Sequence, residues 1–191
     1  DINSQQAEQI KGIPGVKKVS PDYGVHILLR DSVPLIGADQ VWKLDQYGRW
    51  CDRNREDCVT GKGVKIAIID SGVDYTHPDL GGCTKEQFLA EQCSKVIKGF
   101  DFISNTNDPM DDLGHGTHVA ATAAGNGILK GVAPDAEIIA YKVIDKYGFA
   151  STTLTISAIE RSFKDQADII SISLGSIGQG NPSDEISQAV N

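Results

Sequence analysis

Three features are missing from this sequence, and each absence argues against a class of protein. No apolar run approaches the roughly 20 residues that a transmembrane helix needs. Basic residues are in deficit, with 18 Lys and Arg against 26 Asp and Glu and a net charge of −8, whereas nucleic-acid binding needs a basic face. Internal repeats and low-complexity stretches are also absent. We therefore expect no membrane and no nucleic acid as partners, and 191 residues suffice for one domain or part of a larger one.

The four cysteines form two local pairs and lack the spacing of a zinc site. Cys51 and Cys58 bracket the polar segment CDRNREDC, and Cys83 and Cys93 bracket CTKEQFLAEQC. The spacings C-x6-C and C-x9-C differ from common zinc-ligand spacings, and no histidine is interleaved with them. We expect a disulfide within each pair, and hence an oxidising compartment. Four free thiols in a cytosolic protein are the alternative.

From residue 64 onward, continuous apolar runs alternate with stretches of helical spacing. The run VKIAII is typical of a strand that is buried on both faces of a sheet, and the two later strands read in the same way. The order strand, helix, strand, helix, strand, helix predicts a parallel sheet with crossover helices, and therefore an α/β fold. The predicted elements are strands over 64–69, 137–144 and 167–175 and helices over 115–124, 151–166 and 182–191.

Local signals refine two of these helices. Gly125 is expected to end the first helix, because glycine readily terminates helices. Ser151 or Thr152 is expected to cap the second helix. The apolar residues of the second helix recur at helical spacing, namely Leu154, Ala158, Ile159 and Phe163.

Candidate catalytic residues lie where the predicted strands end. In open parallel sheets, ligands bind beyond the carboxyl ends of the strands. Asp70 lies at one of these ends, and Ser173 or Gly175 lies at another, while His115 begins the first helix. These residues could converge on one crevice, where an aspartate would hold an imidazole in one tautomer as a general base. The two glycines beside His115 would allow a tight turn and a close approach of another backbone.

Two longer motifs resemble a known family. IAIIDSGVDYTHPDL resembles the aspartate motif of the subtilisin-like serine proteases, and GHGTHVAATAAG resembles their histidine motif. The resemblance extends from about residue 60 to the end of the chain. It implies a three-layer fold with a mainly parallel sheet and a secreted or cell-surface serine endopeptidase with an Asp-His-Ser triad. Asp70 would be the orienting acid and His115 the general base, in the family's chain order.

The resemblance also implies a cleft that holds a peptide or protein substrate. SISLGS looks like the segment that lines the primary specificity pocket, and the substrate would join it as an added β-strand. The implied contact residues are Ser173, Leu174 and Gly175 on one side of the substrate and Gly148, Phe149 and Ala150 on the other.

The family's nucleophile motif, G-T-S-M-A, is absent from these residues. The one methionine is Met110, in DPMDDL. Subtilisin spacing would place the serine about 157 residues after the histidine, beyond residue 191, and the oxyanion asparagine would also lie beyond the chain. We therefore expect residues 31–191 to be the N-terminal half of a catalytic domain, with an incomplete fold. It would be inactive alone and would have the complementary C-terminal part as its partner. A non-catalytic fragment with at most weak peptide binding is the alternative.

Residues 1–30 resemble the C-terminal part of a subtilase propeptide. In IPGVKKVSPDYGVHILLR, the stretch VHILL would be the tail that occupies the active site, with a processing junction near Leu29 or Arg30. An ordinary N-terminal strand and linker is the alternative.

No cofactor or metal is expected to be required. The H-x-x-H of His115 and His118 lacks a third ligand, which makes a metal hydrolase a distant alternative, and the resemblance implies that His118 is buried. Asp111 and Asp112 are expected in a solvated loop. Many subtilases bind structural calcium, but NGILKG after the histidine helix is shorter than the usual calcium loop, so this sequence does not support calcium there. Structural calcium elsewhere in the protein is the alternative.

Overall fold

The computed structural model describes residues 4–11, 13–16, 29–51, 57–175 and 185–189. The described strands are β1 Lys65–Asp70, β2 Val96–Asp101, β3 Glu137–Lys142 and β4 Ile169–Ile172. The described helices are α1 Ser4–Lys11, α2 Leu29–Leu35, α3 Ala38–Val41, α4 Lys85–Leu89, α5 His115–Ala124, α6 Thr152–Lys164 and α7 Glu185–Ala189, with a short 3-10 helix at Pro78–Leu80. No helix in this part of the chain is both long enough and apolar enough to span a bilayer.

The strands form a parallel sheet in the order β2-β3-β1-β4, which confirms the predicted α/β class. β1 lies between β3 and β4, and its residues from Ile66 to Asp70 are buried. Its alternate side chains serve two cores, because successive residues of a strand point to opposite faces. Ile66 and Ile68 pack in the cluster that includes Ala120 of α5, whereas Ala67 and Ile69 pack in the cluster that includes Ile159 of α6. Helices therefore cover both faces of the sheet in three layers.

The boundaries of the first predicted strand–helix pair are close to those observed. α5 covers 115–124, and Gly125 follows as the residue at which the helix ends. The buried residues of α5 are small, Gly116, Ala120 and Ala124, so the helix lies close to the sheet. α6 begins after Ser151 as expected, although the Ser151 side chain makes no capping hydrogen bond.

The buried stripe of α6 differs from the predicted one. Ala158 and Ile159 are buried, but Phe163 is 68% exposed. Thr155 and Ser162 are buried instead, because each hydroxyl donates to a backbone carbonyl four residues earlier and is thereby satisfied. The spacing of apolar residues could not predict this buried face, because two of its members are polar.

Two strands depart from the prediction. β2 was not predicted, because VIKGFD combines a short apolar run with Lys98 and Gly99 and has an irregular register after Val96. β4 covers 169–172 rather than 167–175, and its outer position among the described strands leaves Ile169 51% exposed. The prediction that this strand is buried on both faces is therefore wrong for the described residues.

Two cysteine pairs are joined in the structure. Cys51 bonds Cys58 with a Cα–Cα distance of 5.7 Å, and Cys83 bonds Cys93 with a Cα–Cα distance of 5.9 Å. The second bond brackets α4. Two predictions fall largely outside the described residues: the tail VHILL, apart from Leu29 at the start of α2, and the final helix, of which 185–189 is described as α7.

Candidate active site

The site forms where β1 ends and α5 begins. Asp70 is the last residue of β1, and His115 is the first residue of α5. Gly114 has a φ of 93°, a left-handed conformation that glycine adopts without strain and that turns the chain into the helix. A Cβ at Gly116 would lie 2.1 Å from the Gly72 carbonyl oxygen, so only glycine permits this approach of α5 to the loop after β1. Both glycines therefore have the roles that the sequence predicted.

Asp70 and His115 form a hydrogen-bonded pair. His115 Nδ1 lies 2.7 Å from Asp70 Oδ1, and the same oxygen accepts the Ser71 backbone N–H at 2.7 Å. Asp70 is fully buried, whereas the His115 side chain is 48% exposed. The second oxygen of Asp70, Oδ2, is buried without a hydrogen-bond donor among the described residues.

This geometry defines what the pair can do chemically. An ionised carboxylate only accepts hydrogen bonds, so Nδ1 carries the proton and Nε2 is the basic nitrogen. Because the imidazole is half exposed, Nε2 can take a proton from a reactant that approaches from solvent. The buried carboxylate fixes the tautomer and stabilises the imidazolium that forms.

The sequence predicted that Asp111 lies in a solvated loop. In the structure, its side chain instead accepts five hydrogen bonds. Its half-buried carboxylate accepts from the Ser71 and Thr117 hydroxyls and from the backbone N–H groups of Leu113, Gly114 and Thr117. Burial alone would raise the pKa of this carboxyl, but hydrogen bonds from Thr117 and from the backbone outweigh it and hold the pKa below its ordinary value. The aspartate therefore stays ionised at neutral pH.

Asp112 is also paired. It contacts the ammonium of Lys142, whose side chain is only 4% exposed, and the ammonium donates to the Ser71 carbonyl at 2.8 Å. Lys142 is the register partner of Asp70 at the end of β3. Lys142 was not among the predicted site residues, although a lysine at the end of the apolar run EIIAYK is a signal that could have identified it.

The segments predicted to bind substrate flank the end of β1. Because β3 and β4 are the neighbours of β1, the chain leaves these two strands on either side of Asp70. After β3, Ile144 pairs with Ala150 in an antiparallel bridge, and Gly148 has a φ of 86° in the turn between them. Phe149 in that turn is 73% exposed. After β4, Ser173 and Gly175 are exposed and Leu174 is half-buried. Contact of these residues with a peptide stays a prediction.

The prediction that His118 is buried is wrong. His118 is exposed because the buried face of α5 carries Gly116, Ala120 and Ala124, and His118 lies two residues from both Gly116 and Ala120, on the other side of the helix. Among the described residues, one group of potential metal ligands lies close enough together to share an ion, namely Cys51, Asp57 and Cys58. Its two cysteines are joined in a disulfide. The metal-hydrolase alternative gains no support from this part of the chain.

The short loop after α5 does not fit a calcium ion at its nearest carboxylate. Asp79 is 8% exposed, and its carboxylate accepts the backbone N–H of Ile128 at 2.7 Å and of Leu129 at 3.4 Å. A Cβ at Gly127 would lie 1.9 Å from Asp79 Oδ1. Calcium takes oxygen ligands, whereas this loop turns N–H donors toward the carboxylate. Asp79 therefore closes the loop directly.

The structure thus defines a parallel three-layer α/β protein with a hydrogen-bonded Asp–His pair at the carboxyl edge of its sheet. Comparison with known proteins identifies the family to which this α/β protein belongs. The chain belongs to the subtilase family, whose sequence pattern matches residues 61–191. This match confirms the family that the sequence motifs predicted, and the fold is the α/β fold of the subtilisins.

Individual relatives cover most of the chain. It is 42% identical over 154 residues to the minor extracellular protease Vpr of Bacillus subtilis (strain 168), across 76% of this chain and 16% of that protein. It is 41% identical over 178 residues to subtilisin E of the same organism, across 91% of this chain and 40% of that protein. A crystal structure of a cold adapted subtilisin-like serine proteinase aligns with a TM-score of 0.54 and 30% identity, over 78% of this chain and 50% of that one. The chain thus spans half or less of the length of these proteins.

Proposed function

We propose that this chain is the part of a subtilisin-type serine endopeptidase that carries the orienting acid and the general base. The observation that carries the proposal is the 2.7 Å hydrogen bond between the buried Asp70 and the half-exposed His115. Asp70 holds the imidazole and stabilises its cation, and His115 takes the proton of a serine nucleophile and later returns it to the leaving amine.

The serine nucleophile and the oxyanion donor are proposed to lie outside these 191 residues, which contain no G-T-S-M-A motif. The peptide substrate lies between two segments, as an added strand that is hydrogen-bonded from both sides. The residues proposed to contact it are Gly148, Phe149 and Ala150 after β3 and Ser173, Leu174 and Gly175 after β4.

The proposal extends to processing and location. Residues 1–30 are the end of an inhibitory propeptide and residues 31–191 belong to the catalytic domain. The protein acts outside the cell or at its surface, which agrees with the two disulfides of the structure, because such bonds persist in oxidising compartments.

The test compares the complete protein that contains this chain with the 191-residue chain alone, on a fluorogenic peptide. The complete protein should hydrolyse the peptide and lose that activity to a serine-directed phosphonate, whereas the chain alone should be inert. His115→Ala in the complete protein should lower kcat by about six orders of magnitude, the loss known for the same histidine in subtilisin.

His118→Ala provides the matched control, because it removes an exposed imidazole from the same helix, one turn away from the pair. It should leave kcat within about twofold of the wild-type value, as is usual for an exposed surface residue. Full activity in His115→Ala would overturn the assignment of the general base. Phosphonate-sensitive turnover by the 191-residue chain would overturn the placement of the nucleophile, and an inert complete protein would favour a non-catalytic role.

A further inference from the structure

We propose that Asp111 is a positioning residue of the Asp70–His115 pair and acts through Ser71 and the first turn of α5. The inference deepens the proposed function and rests on it for its kinetic consequence, although the geometric claim can be tested without turnover.

The start of α5 lacks an N-cap side chain. The first N–H groups of a helix have no partner within it, and a serine, threonine, aspartate or asparagine at the N-cap ordinarily accepts one of them. The N-cap here is Gly114, which has no side chain and makes no such bond. His115 follows immediately, so the residue that must be held most accurately begins an uncapped helix.

Asp111 and Ser71 supply the missing acceptors. Asp111 Oδ2 accepts the backbone N–H of Thr117 at 2.9 Å and the Thr117 hydroxyl at 2.5 Å. Ser71 Oγ accepts the backbone N–H of Gly116 at 2.9 Å and donates to Asp111 Oδ1 at 2.9 Å. Two side chains from outside the helix thus cap its first turn, and a carboxylate is the favoured charge at this end of a helix.

The same carboxylate fixes the turn that leads into the helix. Asp111 Oδ1 accepts the backbone N–H of Leu113 at 3.0 Å and of Gly114 at 2.9 Å. Gly114 is the residue with positive φ, and without these bonds its conformation would be the least restricted in the segment. The backbone on both sides of His115 is therefore anchored to one side chain.

Ser71 connects this anchor to the acid of the pair. Its backbone N–H donates to Asp70 Oδ1 at 2.7 Å, and its hydroxyl donates to Asp111. A second link joins the loop after β1 to α5, since the backbone N–H of Asp74 donates to Thr117 Oγ1 at 2.9 Å. Asp111 therefore connects the end of β1, which carries Asp70, to the start of α5, which carries His115, through one network of hydrogen bonds.

Asp111 and the Asp70–His115 pair therefore have different roles. Asp111 makes no hydrogen bond to His115 or Asp70 among the described residues, so it acts on the reaction only through their placement. Loss of such a positioning contact costs about 10- to 100-fold in other sites where second partners orient a reacting group. The loss should fall on kcat, because the chemical step depends on the alignment of the imidazole, while the substrate-binding segments after β3 and β4 keep their own contacts.

The experiment uses the complete protein with Asp111→Ala and Asp111→Asn. Asp111→Ala should lower kcat about 10- to 100-fold with KM changed less than about threefold. Asp111→Asn should recover part of the loss, because its amide oxygen can still accept from Ser71 and Gly114, although its NH2 group cannot accept from Thr117.

Asp108→Asn is the matched control for a purely structural role. Asp108 belongs to the same loop and accepts from the Tyr75 hydroxyl at 2.8 Å and from the Lys85 ammonium at 2.7 Å, but among the described residues it makes no hydrogen bond to Ser71 or α5. It should lower the unfolding midpoint without lowering kcat at a temperature where the protein is folded. Equal kcat losses in Asp108→Asn and Asp111→Ala would overturn the proposal, as would an unchanged kcat in Asp111→Ala.

A second readout is independent of peptidase activity. The proton on His115 Nδ1, hydrogen-bonded to Asp70, gives a proton NMR resonance that responds to the N–O distance. This resonance should shift and broaden in Asp111→Ala and remain in place in Asp108→Asn. If the complete protein proves inactive, the proposed function fails and the NMR comparison alone decides the positioning role. An unaltered resonance in a folded Asp111→Ala protein would then refute it.

Discussion

The replacement of Gly116 by alanine tests the close approach of α5 to β1. Gly116 is the second residue of α5 and is buried. In an exposed helix interior, a change from glycine to alanine stabilises the fold by about 1 kcal/mol, because glycine is the poorer helix former. Propensity alone therefore predicts a more stable protein.

The packing predicts the opposite sign. The new Cβ would lie 2.1 Å from the Gly72 carbonyl oxygen, 3.1 Å from Asp70 Cβ and 3.2 Å from Asp70 Oδ1. All three neighbours belong to the backbone or to a buried side chain, so none can rotate away. Relief of the clash requires the start of α5 to move by about 1 Å, and overpacking of this kind costs about 1–3 kcal/mol or more. Since His115 moves with the helix, a displacement of about 1 Å should also lower kcat/KM by about 100-fold.

Chemical denaturation and peptidase kinetics of the complete protein measure the two effects. Gly63→Ala separates backbone strain from a packing clash, because Gly63 has a positive φ of 79° and its added Cβ would meet nothing within 4 Å, whereas Gly116 is helical and its added Cβ would clash. It should cost about 1–2 kcal/mol from backbone strain and leave kcat/KM unchanged. A Gly116→Ala protein that is more stable than the wild type and fully active would refute the packing argument.

Two further predictions concern carboxylates away from the Asp70–His115 pair. Burial alone would raise the pKa of Asp165, but hydrogen bonds from Tyr141 and Lys98 outweigh it and lower the pKa, so this group stabilises the fold above the ordinary carboxyl pKa and loses its contribution as the pH falls below about 4. Asp165→Asn should therefore flatten the acid side of a plot of unfolding free energy against pH, and an unchanged plot would contradict the assigned cause. Asp79→Ala should cost about 1–3 kcal/mol because it leaves the Ile128 N–H without its acceptor, whereas Asp79→Asn retains a carbonyl acceptor and should cost less; equal losses measured by denaturation would contradict this account.

Local sequence was sufficient to locate β1, α5 and the two residues of the pair. A continuous apolar run that ends in an aspartate, followed by a helix that starts at a glycine-flanked histidine, contains the relevant constraints within short windows. The same is true of the local cysteine pairs. Each of these features depends on residues that are near in the chain or on the fixed geometry of a parallel sheet.

Features that depend on tertiary contacts could not be read from the sequence. β2 forms by pairing with β3, which is distant in the sequence. Position 99 of β2 requires glycine, because an added Cβ would lie 2.2 Å from the Ala140 carbonyl oxygen. The sequence does not distinguish Asp111 from other loop aspartates, because its hydrogen bond to Ser71, 40 positions earlier, forms only in the folded chain. Phe163 is exposed despite its helical spacing, since periodicity identifies apolar positions without showing which neighbours are available to cover them.

The side-chain hydrogen bonds around the Asp70–His115 pair come from two short segments of the chain, and β3 supports these segments through Lys142, which donates to the Ser71 carbonyl. Asp70 ends β1 and Ser71 follows it, while Asp111 lies in the loop before α5 and His115 begins α5. Among the described residues, the side-chain hydrogen bonds that join these four residues to one another and to the start of α5 reach no further than Thr117. The element that carries the proposed nucleophile therefore need not build this geometry. It has only to dock against the exposed side of His115, where Nε2 is the available base. On this reasoning, the Nδ1 proton resonance of His115 should already be present in the folded 191-residue chain, and its absence there would show that residues outside this chain are needed to order the pair.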